Sequence, residues 1–409
     1  MNLIKSSSIK QTILFLILLQ LTSITSVLAK DKFSRKAQVE QKKFCKELEF
    51  ENEKGYIIVD NIQINGSNTT YRFLFDTGCT NSWISEKVAQ EIGLKKKYKR
   101  SFSDGYHEMN TDFCFTNITI AGINFKKVGC GIDNTHISGA LCDIDGIIGN
   151  NIIETVAWDL SRESIKMSDK SNLFFNLKQY DQNKFENDHQ IVVYFENGGG
   201  TTILLDTGFN KFISLQKRDV KYIIKEKTIA TGEGNAQEVT SGFVQTAADT
   251  ILKVPGVIIG KDTIKNSIVY TEPNGTNGTN SSVGIEILDY YNIILDYPHN
   301  KYYTKCHQKE FNENDSKKVG IKCNIQGENV IIGYLYHNSD AERKGLKVGD
   351  IIESINNTEM ISLINLTECE AYRRIKELIS KEQVKIKLKK WEHNVTLKTH
   401  DIFINQNNE

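Results

Sequence analysis

Short apolar runs that alternate or carry β-branched residues recur along most of this chain, each closed by Gly, Asn, Asp or Ser. Tyr56-Ile57-Ile58-Val59, Ile62-Gln63-Ile64 and Tyr71 to Phe75 come first, with Asn65-Gly66 as a hairpin turn, and this pattern predicts a sheet. Ser85 to Leu94 has the spacing of a short amphipathic helix ending at Gly93. Phe115 to Ile120, Ile123 to Val128, Asp145 to Asn150, Val156 to Leu160 and Ile165 to Met167 read as further strands. After a polar stretch the order repeats: Ile191 to Phe195, the Gly198-Gly199-Gly200 turn, Thr201 to Leu205, Val283 to Leu288 and Ile294 to Tyr297. A third pattern starts near Lys317. Strands at Gly320 to Ile325 and Val330 to Tyr336 are followed by a helix start at Ser339-Asp340-Ala341, then Gly345-Leu346 and a strand opening at Gly349-Asp350-Ile351-Ile352. Glu370 to Ser380 is predicted as a helix with Tyr372, Ile375, Leu378 and Ile379 on its buried side.

The repeat carries chemistry. Phe73-Leu74-Phe75-Asp76-Thr77-Gly78 is answered by Ile203-Leu204-Leu205-Asp206-Thr207-Gly208, so in both halves a buried strand drives into an Asp-Thr-Gly turn. One such triplet is an ordinary Asx-type turn. Two in matched contexts predict a pseudo-twofold fold that brings the carboxylates together. Carboxylates about 3 Å apart cannot both ionise, so they share a proton, and one acts as base while the other acts as acid. That pair suits amide hydrolysis by an activated water. Thr77 and Thr207 are placed to hydrogen-bond across the axis, and Gly78 and Gly208 let backbone N–H groups approach the acids.

These residues resemble the aspartic peptidases of the retropepsin and pepsin type, with both halves in one polypeptide. The resemblance implies a bilobal β-barrel fold of two pseudo-symmetric lobes, with Asp76 and Asp206 as the catalytic dyad and Thr77, Gly78, Thr207 and Gly208 supporting the loops. Asp145-Gly146-Ile147-Ile148-Gly149-Asn150 resembles the hydrophobic-hydrophobic-Gly element that buttresses the catalytic loop in this family. The turn around Ser103-Asp104-Gly105-Tyr106 stands where the family folds a flap over substrate, which makes Tyr106 the flap candidate. Gly232-Glu233-Gly234-Asn235 reads as the tip of a matching hairpin in the second half, and a tip in each half is more like the retroviral type. Cys79 and Phe209 follow the triplets where many pepsin-type chains have Ser or Thr, so an acid pH optimum is not carried over. The C-terminal pattern resembles PDZ domains, and the whole resembles a secreted, bacterial-type aspartic peptidase with a C-terminal PDZ domain. The PDZ resemblance implies peptide capture by β-augmentation, with Gly320 and Ile321 as the remnant of the carboxylate-binding loop, although the full glycine signature is absent.

The chain has 409 residues with 51 basic and 51 acidic side chains, and this balance calls for neither nucleic acid nor an anionic membrane as partner. Two lysines, an apolar run from Thr12 to Leu21 and Ser26-Val27-Leu28-Ala29 form a signal-peptide layout, too short to span a membrane. Eight cysteines in an exported chain permit disulfides, with Cys130 and Cys142 as the closest pair in sequence. No Cys or His spacing suits a metal, and no cofactor is expected. The predicted division is a signal peptide at 1–29, an N-terminal arm at 30–54 (helix or mobile), lobe one at 55–168, a linker at 169–190, lobe two at 191–305 and an α+β PDZ domain at 317–402. The expected function is an exported, periplasmic or extracellular aspartic endopeptidase acting on proteins or peptides, with the PDZ domain recruiting C-terminal peptides. The alternative is a catalytically silent peptide-binding scaffold that uses the PDZ groove.

Overall fold

The computed structural model describes residues 32–53, 56–103, 108–133, 144–186, 189–234, 250–272, 281–366 and 368–403. The signal-peptide layout, Tyr106, Cys142 and Asn235 lie outside the described residues. Among those described, no helix is long and apolar enough to cross a membrane.

Two nine-stranded sheets form the two lobes, and a six-stranded sheet joins them. In the first lobe, Tyr56–Ile64 pairs antiparallel with Tyr71–Phe75, and the fully buried Phe73 and Phe75 anchor the strand that leads to Asp76. Trp158 is also fully buried, edge-on to Phe75 at 4.8 Å between ring centroids, and its indole N–H donates to the Ile153 carbonyl at 2.8 Å. Burial of so large a ring is favourable here because its one polar atom keeps a partner. In the joining sheet Ala157–Leu160 runs antiparallel to Tyr291–Asp296, with Ala157 opposite Asp296 and Leu160 opposite Ile293. The two halves of the repeat therefore pair with each other, and the pseudo-twofold axis passes between these strands.

The described part of the arm before Tyr56 carries short strands, after one short 3-10 turn at Lys32–Ser34. Gln38–Val39, Cys45–Glu47 and Phe50–Glu53 are strands paired respectively with the first-lobe sheet, the joining sheet and Tyr56–Ile64. Phe33, Phe44 and Leu48 are buried. The polar stretch between lobes is likewise built in, because Asp181–Lys184 pairs with Lys301–Cys306 at the edge of the joining sheet. Cys130 stands directly opposite Cys114 in the ladder between Glu108–Ile120 and Ile123–Asp133, and both thiols are buried and free. Cys142, the partner expected for Cys130 from the sequence, lies outside the described residues.

The C-terminal module has its own core of Val330, Ile332, Ile352, Ile375, Ile386 and Leu388. Ile321–Gln326 and Asn329–Tyr336 form its first hairpin. Ser339 caps the helix Asp340–Arg343, its hydroxyl accepting from the Glu342 N–H at 3.1 Å. The long helix runs Glu368–Ile379 and buries Ala371 and Ile375, while Tyr372 stays half-buried and turns its hydroxyl to the Ile325 N–H at 3.1 Å.

Candidate active site

Both Asp-Thr-Gly loops end strands that are closed from behind by a parallel neighbour. Phe75 lies beside Ile148, and the Asp76 N–H donates to the Ile148 carbonyl at 3.1 Å. In the second lobe Leu205 and Asp206 lie beside Val283 and Gly284, and Gly284 N–H donates to Phe212 at 2.8 Å. Gly149 and Gly284 must be glycine, since a Cβ at either would overlap the returning loop, at the carbonyls of Asn81 and Lys211 respectively. The Ile147-Ile148-Gly149 element is thus a buttress in the literal sense of contact.

The loops meet through their threonines. Thr77 Oγ1 donates to the Leu205 carbonyl at 2.6 Å and accepts from the Thr207 N–H at 2.9 Å. Thr207 Oγ1 donates to the Phe75 carbonyl at 2.7 Å and accepts from the Thr77 N–H at 3.0 Å. Four bonds thereby link segments about 130 residues apart, and both threonines are buried. Valine at either position keeps the shape but leaves one N–H and one carbonyl without partner, at about 1–3 kcal/mol each. Thr77→Val and Thr207→Val are each expected to lower the denaturation midpoint clearly. An unchanged midpoint would mean that the loops are held by something else.

The two carboxyl groups are brought together. Asp76 Oδ1 accepts from the N–H groups of Gly78 at 2.8 Å and Cys79 at 3.1 Å, and Asp206 Oδ1 accepts from Gly208 at 2.9 Å. The Asp76 and Asp206 carboxyls interact across the seam, each lying against the glycine of the opposite loop. Each glycine packs against the opposite acid: a Cβ at Gly208 would sit 2.5 Å from Asp76 Cγ, and one at Gly78 would overlap the Asp206 carboxyl.

Close surrounding by protein pushes the Asp76 carboxyl above its ordinary pKa, and the N–H donors from Gly78, Cys79 and Gly208 together with the Asp206 carboxyl offset only part of that. A carboxyl raised in the folded state stabilises the fold fully below the ordinary carboxylate pKa of about 4, and that contribution is lost as pH rises through the folded value. The stability difference between wild type and Asp76→Asn, followed by urea denaturation, should therefore shift toward the variant as pH rises from about 4. A difference independent of pH would contradict a raised Asp76.

Burial first and the nearby Asp76 second push the Cys79 thiol far up, and its Sγ donates to the Asn81 carbonyl at 3.1 Å. Held as a neutral thiol, it is no nucleophile. Two residues behind the loop escape the sequence reading. Asn150 Nδ2 donates to the Thr77 carbonyl at 2.8 Å. The buried Asn151 side chain accepts from Ser82 N–H and Oγ and donates to the Phe33 and Gly129 carbonyls, at 2.7–3.3 Å. An Asn-Asn pair right after a Gly-closed strand is the available signal, and its reach to Phe33, the Thr77–Ser82 loop and Gly129 is not.

Gly320 and Ile321 lie away from this seam, in the C-terminal module. Gly320 has φ of +96°, and a Cβ there would overlap the Ser339 side chain, while Ile321 is buried.

Residues 61–152 match the family model described as aspartyl protease, and residues 310–398 match that of the PDZ domain. The first match holds Asp76 but stops short of Asp206. Compared with curated proteins, the chain finds no match. Among solved structures, the aspartic proteinase from Irpex lacteus is similar at 12% identity over 64% of this chain and 97% of its own, with a TM-score of 0.42. The chain accordingly joins a region similar to aspartyl proteases, which carries the Asp76 loop, to a C-terminal region that matches the PDZ domain.

Proposed function

We propose that the chain is an exported aspartic endopeptidase whose dyad is Asp76 and Asp206. The observation that supports this most is the meeting of their carboxyls at the seam of two loops locked by Thr77 and Thr207. A pair so placed holds one proton between two carboxyls. Its ionised member takes a proton from a water lodged between them, and its protonated member donates to the peptide carbonyl oxygen as that carbon becomes tetrahedral. As the C–N bond then breaks, the carboxyl that took the water's proton gives it to the departing nitrogen, the other recovers its proton from a hydroxyl of the tetrahedral carbon, and no bond to the enzyme forms. Gly78, Cys79 and Gly208 N–H groups fix the carboxylate oxygens, so the acids need no reorganisation during the reaction.

The PDZ domain supplies recruitment in this reading. Strand Ile321–Gln326 pairs with Asn329–Tyr336 on one edge and faces helix Glu368–Ile379 on the other, the place where an extended peptide adds as a strand. Gly320 and Ile321 stand at the end where a terminal carboxylate would sit. Tyr372 already takes the Ile325 N–H, so peptide pairing is confined to the Gly320 end.

The test is a mixed quenched-peptide library incubated with the full chain in water enriched in ¹⁸O, with products read by mass spectrometry. Internal cleavage that places ¹⁸O in each new carboxyl terminus, without a covalent peptide adduct on the chain, is expected. Peptides that bind yet stay intact would support the scaffold instead.

A further inference from the structure

The segment read as a second-lobe hairpin tip is a strand docked on the PDZ domain. Gly232–Gly234 pairs antiparallel with Tyr334–Tyr336, Glu233 standing opposite Leu335, and the His337 N–H donates to the Thr231 carbonyl at 2.8 Å. That bond makes 231/337 and 233/335 the hydrogen-bonded pairs of the ladder. Both glycines are required by contact. A Cβ at Gly232 would overlap the Leu335 carbonyl and meet the Tyr334 ring at 2.6 Å, and one at Gly234 would overlap the Gly333 carbonyl. Gly234 also has φ of +96°, which favours glycine.

The PDZ strand is shared by two cores. Tyr334 and Tyr336 pack into the core that runs through both lobes, whereas Leu335 between them belongs to the PDZ core. All three are buried, and the two tyrosine rings meet edge-on at 4.9 Å. A freely swinging recruitment module would not bury alternate residues of one strand in its neighbour.

From this ladder a short series of contacts leads to the Asp206 loop. Ala230 pairs with Ile251, Ile251 with Tyr270, and Tyr270 with Ser214, while the Lys211 ammonium from the loop itself lies 5.3 Å from the Tyr270 ring centroid. On its other edge the same PDZ strand pairs Leu335 with Ile321, and the Tyr336 N–H donates to the Gly320 carbonyl at 2.9 Å. The proposed carboxylate-binding end and the second lobe thus grip opposite edges of one strand.

We propose that residues 231–234 are a strand ligand built into the chain, and that by holding them the PDZ domain positions the Asp206 loop. This deepens the protease reading and rests on it. Glu233 is a positioning residue through its backbone alone, since its side chain is exposed.

The experiment compares full-length Glu233→Pro, which removes the ladder N–H, with Glu233→Gln, which keeps it. Kinetics use a quenched peptide cleaved in an Asp76-dependent way. The expected result for Glu233→Pro is a kcat about tenfold lower with KM within twofold, and faster amide exchange at 213–216 and 250–253 while strand 71–75 stays protected. Glu233→Gln should match wild type in each. Gly232→Val, which acts by bulk instead of donor loss, should reproduce Glu233→Pro if the fold tolerates the proline poorly. Unchanged kcat despite faster exchange, or unchanged exchange in both ladder variants, overturns the tether and leaves the dyad standing. Hydrolysis that survives Asp76→Asn overturns the protease reading, and the tether with it.

Discussion

Asp206→Asn is expected to lower kcat by about 10³-fold, and Asp76→Asn by a similar factor, with little change in fold. An asparagine in place of Asp206 still offers Oδ1 to the Gly208 N–H, and its amide can donate to Asp76 where the shared proton now sits. Packing is therefore conserved while the proton that must move is replaced by one that cannot. The loss should fall on kcat, because the amide takes no proton from water and gives none to the carbonyl oxygen. The check is kcat from full progress curves beside the denaturation midpoint. A variant that retains more than about a tenth of wild-type kcat would show that the substituted acid takes no part in proton transfer.

Gly208→Ala and Gly78→Ala should be the next most damaging substitutions. One methyl at Gly208 arrives 2.5 Å from Asp76 Cγ, and one at Gly78 overlaps the Asp206 carboxyl, so each alanine displaces the acid of the other lobe. The loops have no room to yield, since four threonine bonds clamp them and Gly149 and Gly284 close them from behind. Overpacking of this kind costs about 1–3 kcal/mol of stability. Activity should suffer more than stability, by 100-fold or more, because small misplacement of a reacting group is costly to rate. Alanine tolerated at either site with normal kcat would mean that the loops are further apart than described here.

The meeting of the two Asp-Thr-Gly loops was legible in the sequence because its signals are local. An apolar strand ending in Asp-Thr-Gly states its own geometry, and the second copy states the symmetry; the pairing of Ala157–Leu160 with Tyr291–Asp296 then follows from duplication. What escaped depends on partners far along the chain. Gly232-Glu233-Gly234 reads as a turn because glycine marks turns in any local reading, yet its glycines serve a ladder with residues about 100 positions later. The arm before Tyr56 reads as polar because its strands lie at sheet edges, and few of its described residues, among them Phe33, Ala37, Phe44 and Leu48, enter the core. Asn151 could not be singled out from its neighbour Asn150, since its four hydrogen bonds reach segments the sequence does not place beside it. Tyr372 was expected on the buried side of its helix, and its hydroxyl instead draws the ring partway out to serve Ile325.

The claim on which all of this depends is that Asp76 and Asp206 work as a single acid–base unit. The direct measurement is kcat for Asp76→Asn, Asp206→Asn and the double variant on one quenched peptide. Residues that act as a unit lose almost everything at the first substitution, so the double variant should be no more than about threefold slower than the slower single one. Losses that multiply, or a single variant as fast as wild type, would contradict the shared-proton pair.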